Sequence, residues 1–311
     1  MMHYNKLGKT GLQLSTVGFG ASSLGGVFHN FDEGRGIDAV LQAVESGMNY
    51  IDVSPYYGYT KAETVLGKAL RQLPRESFII STKVGRYGLN GKNHWDYSAR
   101  RAQESVGESM ERLGIDRIDL IFVHDIEFAN LQQVAEETLP ALHELKQKGL
   151  VDHVGCTDLQ IANLKWMVEH TPKGTVEAVL NFCHYCLCDD ALADAFDFFH
   201  SHDVGLINAS PFSMGLLTER GTPAWHPAPE PLKAACRRAA DYCREQGYPI
   251  EKLAMQCSCQ CDDIASTVFS TTNPDNLRRN LAWAAEPIDK QLLAQVQAII
   301  GDAKGLTWKN T

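Results

Sequence analysis

The sequence lacks the features that mark membrane-bound, secreted and nucleic-acid-binding proteins. It has no run of about 18 apolar residues, so no membrane-spanning helix is expected. The opening MMHYNKLGKTGLQLS has no apolar signal core. The net charge is −9 and no basic stripe is present, which argues against binding to nucleic acid or to an anionic membrane. We therefore expect a soluble, cytoplasmic protein.

Two further absences concern metals and cofactors. Six of the nine cysteines form two clusters, at 183–188 and 257–261, but neither cluster has the two C-x-x-C pairs of a zinc site. Buried free thiols are the ordinary state of cysteine in a reducing compartment. We predict no metal site, and His184 beside the first cluster does not change this. The glycine-rich fingerprint of dinucleotide-binding open sheets is also missing.

The sequence does contain a regular alternation of strand-like and helix-like segments. Continuous apolar runs, typical of parallel strands buried on both faces, occur at 16–20, 49–54, 78–84, 118–125, 151–157, 178–182, 205–211 and 266–271. Amphipathic patterns lie between them, for example at 98–114 and at 131–149, where Pro140 should cause a kink. We predict one α/β domain over residues 1–311, a (β/α)8 TIM barrel. A doubly wound open sheet is the alternative.

Two segments fall outside the repeating strand–helix unit. Residues 4–15 are typical of a β-hairpin that turns at Gly8–Gly11, and we expect it to plug the bottom of the barrel. Residues 212–249, between the seventh and eighth strands, are too many for a simple connection. Their proline-rich start and helical continuation predict a functional loop followed by an extra helix before strand eight.

Four side chains suited to proton transfer stand at or just beyond the ends of three successive predicted strands. They are Asp52, Tyr57, Lys83 and His124. The carboxyl ends of barrel strands share one face, so all four should point to the same opening. A neighbouring ammonium lowers the pKa of a tyrosine from its usual value of about 10, and a carboxylate holds that ammonium in place. The alternative is four unrelated residues, including an exposed lysine.

This set resembles the catalytic tetrad of the aldo-keto reductases in order and approximate spacing. Residues 6–22 and 62–70 also resemble segments of that family. Within it, residues 124–128, 174–185, 208–218, 225–233 and 306–308 are similar to the L-galactose dehydrogenase branch. The resemblance implies oxidation of an aldose at C1 to the lactone, with L-galactose, L-fucose or D-arabinose as substrate. Tyr57 would accept the proton, Lys83 would lower its pKa, Asp52 would pair with Lys83, and His124 would orient the substrate oxygen.

The resemblance also implies a nicotinamide cofactor, with pyrophosphate contacts at 210–217 and adenosine contacts at 270–280. The implied cofactor residues are Thr157, Asp158, Asn181, Ser210, Pro211, Met214, Gly215, Leu217, Ser270, Thr271, Thr272, Asn276 and Asn280. Ser270 and Asn276 stand where NADPH-preferring members carry cations, which predicts NAD, although Arg278 or Arg279 could reach a phosphate.

The chain departs from the family pattern at the nicotinamide. The usual Ser-Asn pair is Thr157–Asp158 here, the glutamine that follows falls near Asn181 or Phe182, and the stacking tyrosine is replaced by Ala209. These changes concern the nicotinamide contacts and leave the tetrad intact.

Side chains on the loops around the opening are candidate sugar contacts, because sugars pack on aromatic rings surrounded by polar groups. The candidates are Phe28, Tyr56, Trp95, His124, Asp125, Phe128 and Trp225, and the aromatic ones could equally be core residues. His226 is expected at the surface. Two other functions stay open, a broad NADPH-dependent carbonyl reductase and a cofactor-binding regulatory subunit. The expected partner is a small sugar, and the protein is expected to be a monomer or weak homo-oligomer.

Overall fold

Eight parallel strands close into a barrel in the computed structural model, which describes residues 2–26, 30–89 and 92–309. In barrel order the strands are β3 (Val17–Gly20), β4 (Tyr50–Asp52), β5 (Ile79–Val84), β8 (Ile118–Val123), β9 (Val151–Asp158), β10 (Ala178–Phe182), β11 (Gly205–Ala209) and β12 (Ser266–Ser270). Strand β12 pairs with β3 and completes the closure. Each strand coincides with a predicted apolar run, β9 extending one residue beyond its run, so the predicted fold class is confirmed.

The strands are apolar on both faces because each face packs against a different layer. In β8, Leu120 and Phe122 join the cluster inside the barrel. The alternate residues Ile121 and Val123 pack outward among helix residues such as Val106 and Leu142. This two-sided burial explains why the strand signal is a continuous apolar run rather than an alternation.

Helices surround the barrel and follow the predicted amphipathic segments. They are α1 (Glu33–Glu45), α2 (Lys61–Leu70), α3 (Ala99–Leu113), α4 (Leu131–Gln133), α5 (Leu139–Gln147), α6 (Ile161–Glu169), α7 (Phe196–Ser201), α8 (Glu230–Glu245), α9 (Ile250–Cys259), α10 (Pro274–Ala285) and α11 (Lys290–Ile300). A π-helical turn, Val134–Thr138, stands just before Pro140, which has no N–H to give to the helical ladder. No described helix is long and apolar enough to cross a membrane.

A β-hairpin closes the amino end of the barrel, which we call the floor. Its strands are β1 (Tyr4–Lys6) and β2 (Gln13–Ser15), and they pair antiparallel. Leu7 and Leu14 of the hairpin are completely buried against the inside of the barrel. Gly8 has a φ of 49°, and a Cβ atom there would lie 2.5 Å from the backbone nitrogen of Gly205, so only glycine fits. The predicted plug is confirmed.

Additional segments surround the carboxyl end of the barrel, which we call the mouth. A second hairpin, β6 (Arg86–Leu89) and β7 (Lys92–Trp95), follows β5. The loop from 210 to 229 follows β11 and leads into α8, the predicted extra helix, which packs with α11 and Trp308. Cys186 and Cys188 lie buried in this apolar cluster with their sulfur atoms 3.7 Å apart.

Candidate active site

The four predicted proton-transfer residues meet at the mouth. Asp52 ends β4, Tyr57 lies in the turn that follows, Lys83 lies near the end of β5, and His124 directly follows β8. Lys83, Asp52 and His124 are almost completely buried. The rings of Tyr57 and His124 approach edge to face, with their centroids 5.8 Å apart. The parallel barrel therefore brings together residues that are up to 72 positions apart, from Asp52 to His124.

The ammonium of Lys83 is held by two oxygens and faces the tyrosine. Its Nζ donates to Asp52 Oδ2 at 2.6 Å and to the carbonyl of Val53 at 2.8 Å. The other oxygen of Asp52 accepts a hydrogen bond from Ser81 at 2.7 Å. The nitrogen lies 4.9 Å from the centroid of the Tyr57 ring. Burial lowers the pKa of Lys83, but Asp52 and Tyr57 outweigh it and raise the pKa above its usual value, so Lys83 carries a positive charge.

The Tyr57 phenol has a higher pKa than a tyrosine in water. Burial raises the pKa of Tyr57 most, while the charge of Lys83 and a hydrogen bond with it lower the pKa in part, and the net value is about 12. The nearby carboxylates of Asp52 and Asp125 raise it further. The lowering by Lys83 that the sequence predicts is present. Burial outweighs this lowering. The sequence does not reveal the burial, because the residues that surround the ring come from distant segments of the chain.

His124 is a neutral imidazole. Burial and then the positive charges of Lys83 and Arg86 hold the pKa of His124 well below its usual value. Its Nδ1 lies 3.0 Å from the hydroxyl of Ser54, and that hydroxyl accepts a hydrogen bond from the backbone of Tyr56. This arrangement favours a hydrogen bond from Ser54 to Nδ1, which leaves the ring proton on Nε2. A neutral imidazole in this tautomer can donate a hydrogen bond to a substrate oxygen.

Asp125 lies beside the tetrad in a strained conformation. Its φ of 46° is in the left-handed region, which is unusual for a residue other than glycine. The carboxylate accepts from the hydroxyl of Thr157 at 3.1 Å and from Nη1 of Arg86, and it lies 3.6 Å from Nε2 of His124. These contacts hold an acidic group at the mouth next to the proton-transfer residues.

A cavity of about 410 Å³ opens from the tetrad to the surface of the mouth. The predicted residues that line it are Asp52, Tyr56, Tyr57, Lys83, His124, Asp125, Thr157, Ser210, Met214, Ser270 and Trp225. Other predicted cofactor residues do not line the cavity: Asp158, Asn181, Pro211, Gly215, Leu217, Thr271 and Thr272 lie on strands and loops of the mouth, and Asn276 and Asn280 lie on α10. Arg86 and Ser54 complete the surroundings of the tetrad, and the sequence reasoning missed both.

The loop that follows β11 contains several residues in the left-handed backbone region. Ser210, Ser213, Met214 and Gly215 have φ values of 63°, 46°, 51° and 108°. The backbone N–H groups of Ser210, Ser213, Gly215, Leu216 and Leu217 donate to backbone carbonyls, so these groups stabilise the turns of the loop. Ser210 and Met214 also line the cavity. The loop therefore borders the cavity, and its contact with the pyrophosphate of a dinucleotide stays a prediction.

The end of β10 carries a buried acceptor that has no donor in the described part of the chain. Asn181 donates through Nδ2 to the carbonyls of Asp158 and Leu159 at 2.8 and 3.0 Å, while its Oδ1 is buried and unpaired. The amide group of a nicotinamide would supply a suitable donor. The Asp158 carboxyl accepts from the backbone of Gln160 and from Asn163, and burial raises its pKa to about 8.

Among the residues that the structure describes, the arginines on the adenosine side of the predicted cofactor site contact other side chains. Arg278 contacts Gln42 and Asp275, and Arg279 donates to Asn276 Oδ1 at 2.9 Å. Asp275 is exposed in the first turn of α10, so it adds a negative charge at this position. The charge of Asp275 is paired with the guanidinium groups of Arg278 and Arg35, so a phosphate would have to compete with Asp275 for these cations.

Four further residues have a prediction attached to them: His226, Trp95, Phe128 and Phe28. His226 is buried, so the prediction that it lies at the surface is wrong. Its Nε2 lies 3.0 Å from the carbonyl of Ser213, and its ring packs edge to face on Trp308. Trp95 and Phe128 contact each other with their centroids 5.3 Å apart and do not line the cavity. Phe28 lies outside the described residues.

Comparisons with known proteins agree with this geometry. A family model described as the aldo/keto reductase family matches residues 16–301. The chain is 42% identical over 308 residues to an L-galactose dehydrogenase of Arabidopsis thaliana, which covers 97% of this chain and 95% of that protein. It is 34% identical over 228 residues to a D-arabinose 1-dehydrogenase of Saccharomyces cerevisiae, covering 70% and 66%. A solved aldo-keto reductase of Bacillus halodurans, in its holo form, superimposes with a TM-score of 0.80 at 26% identity over 96% of each chain.

Proposed function

The chain belongs to the aldo/keto reductase family, whose members are oxidoreductases that use nicotinamide cofactors, and we propose that it oxidises an aldose at C1 to the lactone with NAD. The observation that supports this most is the cluster that Tyr57 forms with the buried side chains of Lys83, Asp52 and His124 at the end of the cavity. The relatives named for L-galactose, D-threo-aldose and D-arabinose dehydrogenation support an aldose as substrate. Among aldoses, L-galactose is our first choice.

In this proposal each side chain of the tetrad has a separate role in the transfer of the proton from the sugar. When bound, the nicotinamide ring accepts the hydride from C1 of the sugar. Tyr57 takes the proton of the C1 hydroxyl, and the positive charge of Lys83 stabilises the phenolate that must form first. Asp52 keeps Lys83 charged and in place. The neutral His124 donates from Nε2 to the sugar oxygen and so orients C1.

The adenosine side supports NAD over NADP. Ser270 has its hydroxyl paired with Ser23 at 2.7 Å, so it carries neither a charge nor an idle donor for a 2′-phosphate. The side chain of Asn276 is neutral as well, and its oxygen is taken by Arg279. A 2′-phosphate would have to displace surface contacts of Arg278 or Arg279 and would still lie near Asp275. We expect at least about a tenfold preference for NAD in kcat/KM, equivalent to about 1.4 kcal/mol.

An initial-rate panel tests the proposal. It combines NAD and NADP, each with L-galactose, L-fucose, D-arabinose and D-galactose, and adds simple aldehydes with NADH and NADPH in the reverse direction. We expect NADH formation with at least one of the first three sugars and a lactone as its product. Fast reduction of simple aldehydes with NADPH, together with no reaction of the aldoses, would instead indicate a carbonyl reductase. A protein that binds the cofactor but turns over none of these would indicate a regulatory subunit.

A further inference from the structure

Arg86 is a charged residue of the mouth that the proton transfer does not use. It begins β6, three residues after Lys83, and lines the same cavity as Tyr57 and His124. Building on the proposed function, we propose that Arg86 recognises hydroxyl groups of the sugar remote from C1 and thereby determines which aldoses react.

The guanidinium of Arg86 is held rigidly by the surrounding side chains. Its Nη1 pairs with the carboxylate of Asp125, and its Nη2 donates to the hydroxyl of Tyr56 at 3.1 Å. The guanidinium carbon lies 3.9 Å from the centroid of the Tyr56 ring and 4.8 Å from that of Phe128, so the group is stacked between two rings. A donor fixed in this way loses little conformational entropy when it binds a ligand.

Arg86 and Asp125 together offer what a sugar hydroxyl needs. A guanidinium has five N–H groups in a planar fork. In Arg86 the Nε atom is buried and has no partner among the described residues, while Nη1 and Nη2 bind Asp125 and Tyr56, which leaves one N–H on each terminal nitrogen for a ligand. The Asp125 carboxylate can also accept, so the pair presents donors and acceptors side by side. Each hydroxyl of an aldose both donates and accepts, and two neighbouring hydroxyls can bind the fork with two parallel hydrogen bonds.

The floor contains an arginine with the same kinds of contact but no cavity, and it provides a matched control. Arg75 pairs with Asp119 at 2.7 Å and stacks on Phe78, with its guanidinium carbon 4.9 Å from the ring centroid. Its remaining contacts are the backbone carbonyls of Phe78 and Arg117 at 3.0 and 3.2 Å. An effect that arises only from the loss of a buried ion pair and ring contact should appear in both Arg75→Met and Arg86→Met.

The test compares wild type, Arg86→Met, Arg86→Lys and Arg75→Met in NAD-dependent oxidation. The substrates are L-galactose and its monodeoxy derivatives, including L-fucose, which lacks the C6 hydroxyl. In Arg86→Met we expect kcat/KM for L-galactose to fall about 10- to 100-fold, the range for a hydrogen bond to a charged group. Wild type should discriminate against at least one deoxy sugar by about tenfold or more, and Arg86→Met should process that sugar and L-galactose at rates within about twofold.

Arg86→Lys removes the planar fork of the guanidinium but keeps a positive charge. Lysine keeps a positive charge opposite Asp125, so the pH profile of kcat/KM should stay as in wild type, while discrimination among the deoxy sugars should be lost. If Arg86→Met does not fold, Arg86→Lys alone tests the proposal. Arg75→Met should retain both the discrimination and the pH profile, even if it lowers the melting temperature.

Several results would overturn the proposal. One is an unchanged discrimination pattern in Arg86→Met or Arg86→Lys, because a purely structural role lowers the rates for all sugars alike. Another is an equal loss of discrimination in Arg75→Met. A wild-type protein that oxidises no aldose contradicts the proposed function and this inference together, whereas aldose oxidation with unaltered discrimination in the variants contradicts only the role of Arg86.

Discussion

The floor and the mouth of the barrel both enclose titratable groups, but the balance between burial and hydrogen-bonding partners differs between Glu177 and Tyr57. At the floor, Glu177 accepts hydrogen bonds from Lys146 at 2.6 Å, from His153 at 2.8 Å and from the backbone of Val154 at 3.1 Å. Burial raises the pKa of Glu177, yet these donors outweigh it and bring the pKa down to about 2. At the mouth, burial wins instead, and it raises the pKa of Tyr57 to about 12.

This difference separates groups that stabilise the fold from groups that can exchange protons. A carboxylate with its donors in place stays charged over the whole physiological range and contributes to stability. Tyr57 and His124 are held in their neutral forms by burial, while Lys83 beside them stays charged. Strongly perturbed pKa values in a cleft are typical of active sites. The following variants test this assignment, beginning with the largest expected effect.

Replacing Tyr57 with Phe removes the hydroxyl and keeps the ring. We expect turnover of the aldose to fall by at least about a hundredfold, because proton transfer by a positioned side chain contributes that much or more. The affinity for NAD and the unfolding curve should stay close to wild type. Steady-state kinetics, a binding titration with NAD and thermal unfolding measure the three quantities. Turnover within a few-fold of wild type in folded protein would remove Tyr57 from its role.

Replacing Glu177 with Gln removes a compensated charge at the floor. We expect the free energy of unfolding at pH 7 to fall by about 2 kcal/mol, with turnover per folded molecule unchanged. The pKa of Glu177 is lowered in the folded state, so its contribution exists above its unfolded pKa of about 4.3 and is lost as the pH falls toward 2. In urea unfolding at pH 7, 4 and 3, the difference in the free energy of unfolding between wild type and Glu177→Gln should therefore become smaller as the pH falls. A difference in the free energy of unfolding that does not change with pH would contradict a stabilising negative charge on Glu177.

Asp158 is a buried carboxyl at the mouth that the protein compensates poorly. Burial raises its pKa to about 8, so ionisation is unfavourable in the folded state and stability falls as the pH rises from about 4 to about 8. Asparagine avoids this cost, provided that the amide of Asn163 rotates to present its oxygen. We expect Asp158→Asn to raise the free energy of unfolding at pH 8 by about 1 kcal/mol, with the gain vanishing toward pH 4. A variant that is less stable than wild type at pH 8 would contradict the raised pKa.

Much of the fold could be predicted because its signals are local. The eight strands are continuous apolar runs, and the hairpin turn at Gly8 lies within a short segment. The common position of Asp52, Lys83 and His124 follows from the parallel barrel alone, since each stands near a strand end. That the chain forms one domain over residues 1–311, and that it is cytoplasmic, stay predictions.

The details that the sequence does not reveal depend on contacts between distant segments. The buried environment of Tyr57 comes from several strands, so its raised pKa has no local signal. His226 is buried because its loop packs onto Trp308, which lies 82 residues later. Arg86 pairs with Asp125 from another strand, although its place three residues after Lys83 could have indicated the mouth. Histidine and arginine are expected at the surface when the sequence reveals no buried partner for them.

The pH dependence of kcat/KM for aldose oxidation with NAD, in wild type and in Lys83→Met, tests whether the charge of Lys83 promotes proton transfer to Tyr57. The phenol of Tyr57 must be deprotonated to accept the C1 proton, so the wild-type rate should rise with pH. Lys83 lowers the pKa of Tyr57, and its loss should move the rising limb to higher pH and reduce the rate at pH 7 by about a hundredfold or more. Glu177→Gln should leave the limb where it is. Superimposable profiles for wild type and Lys83→Met would contradict the account.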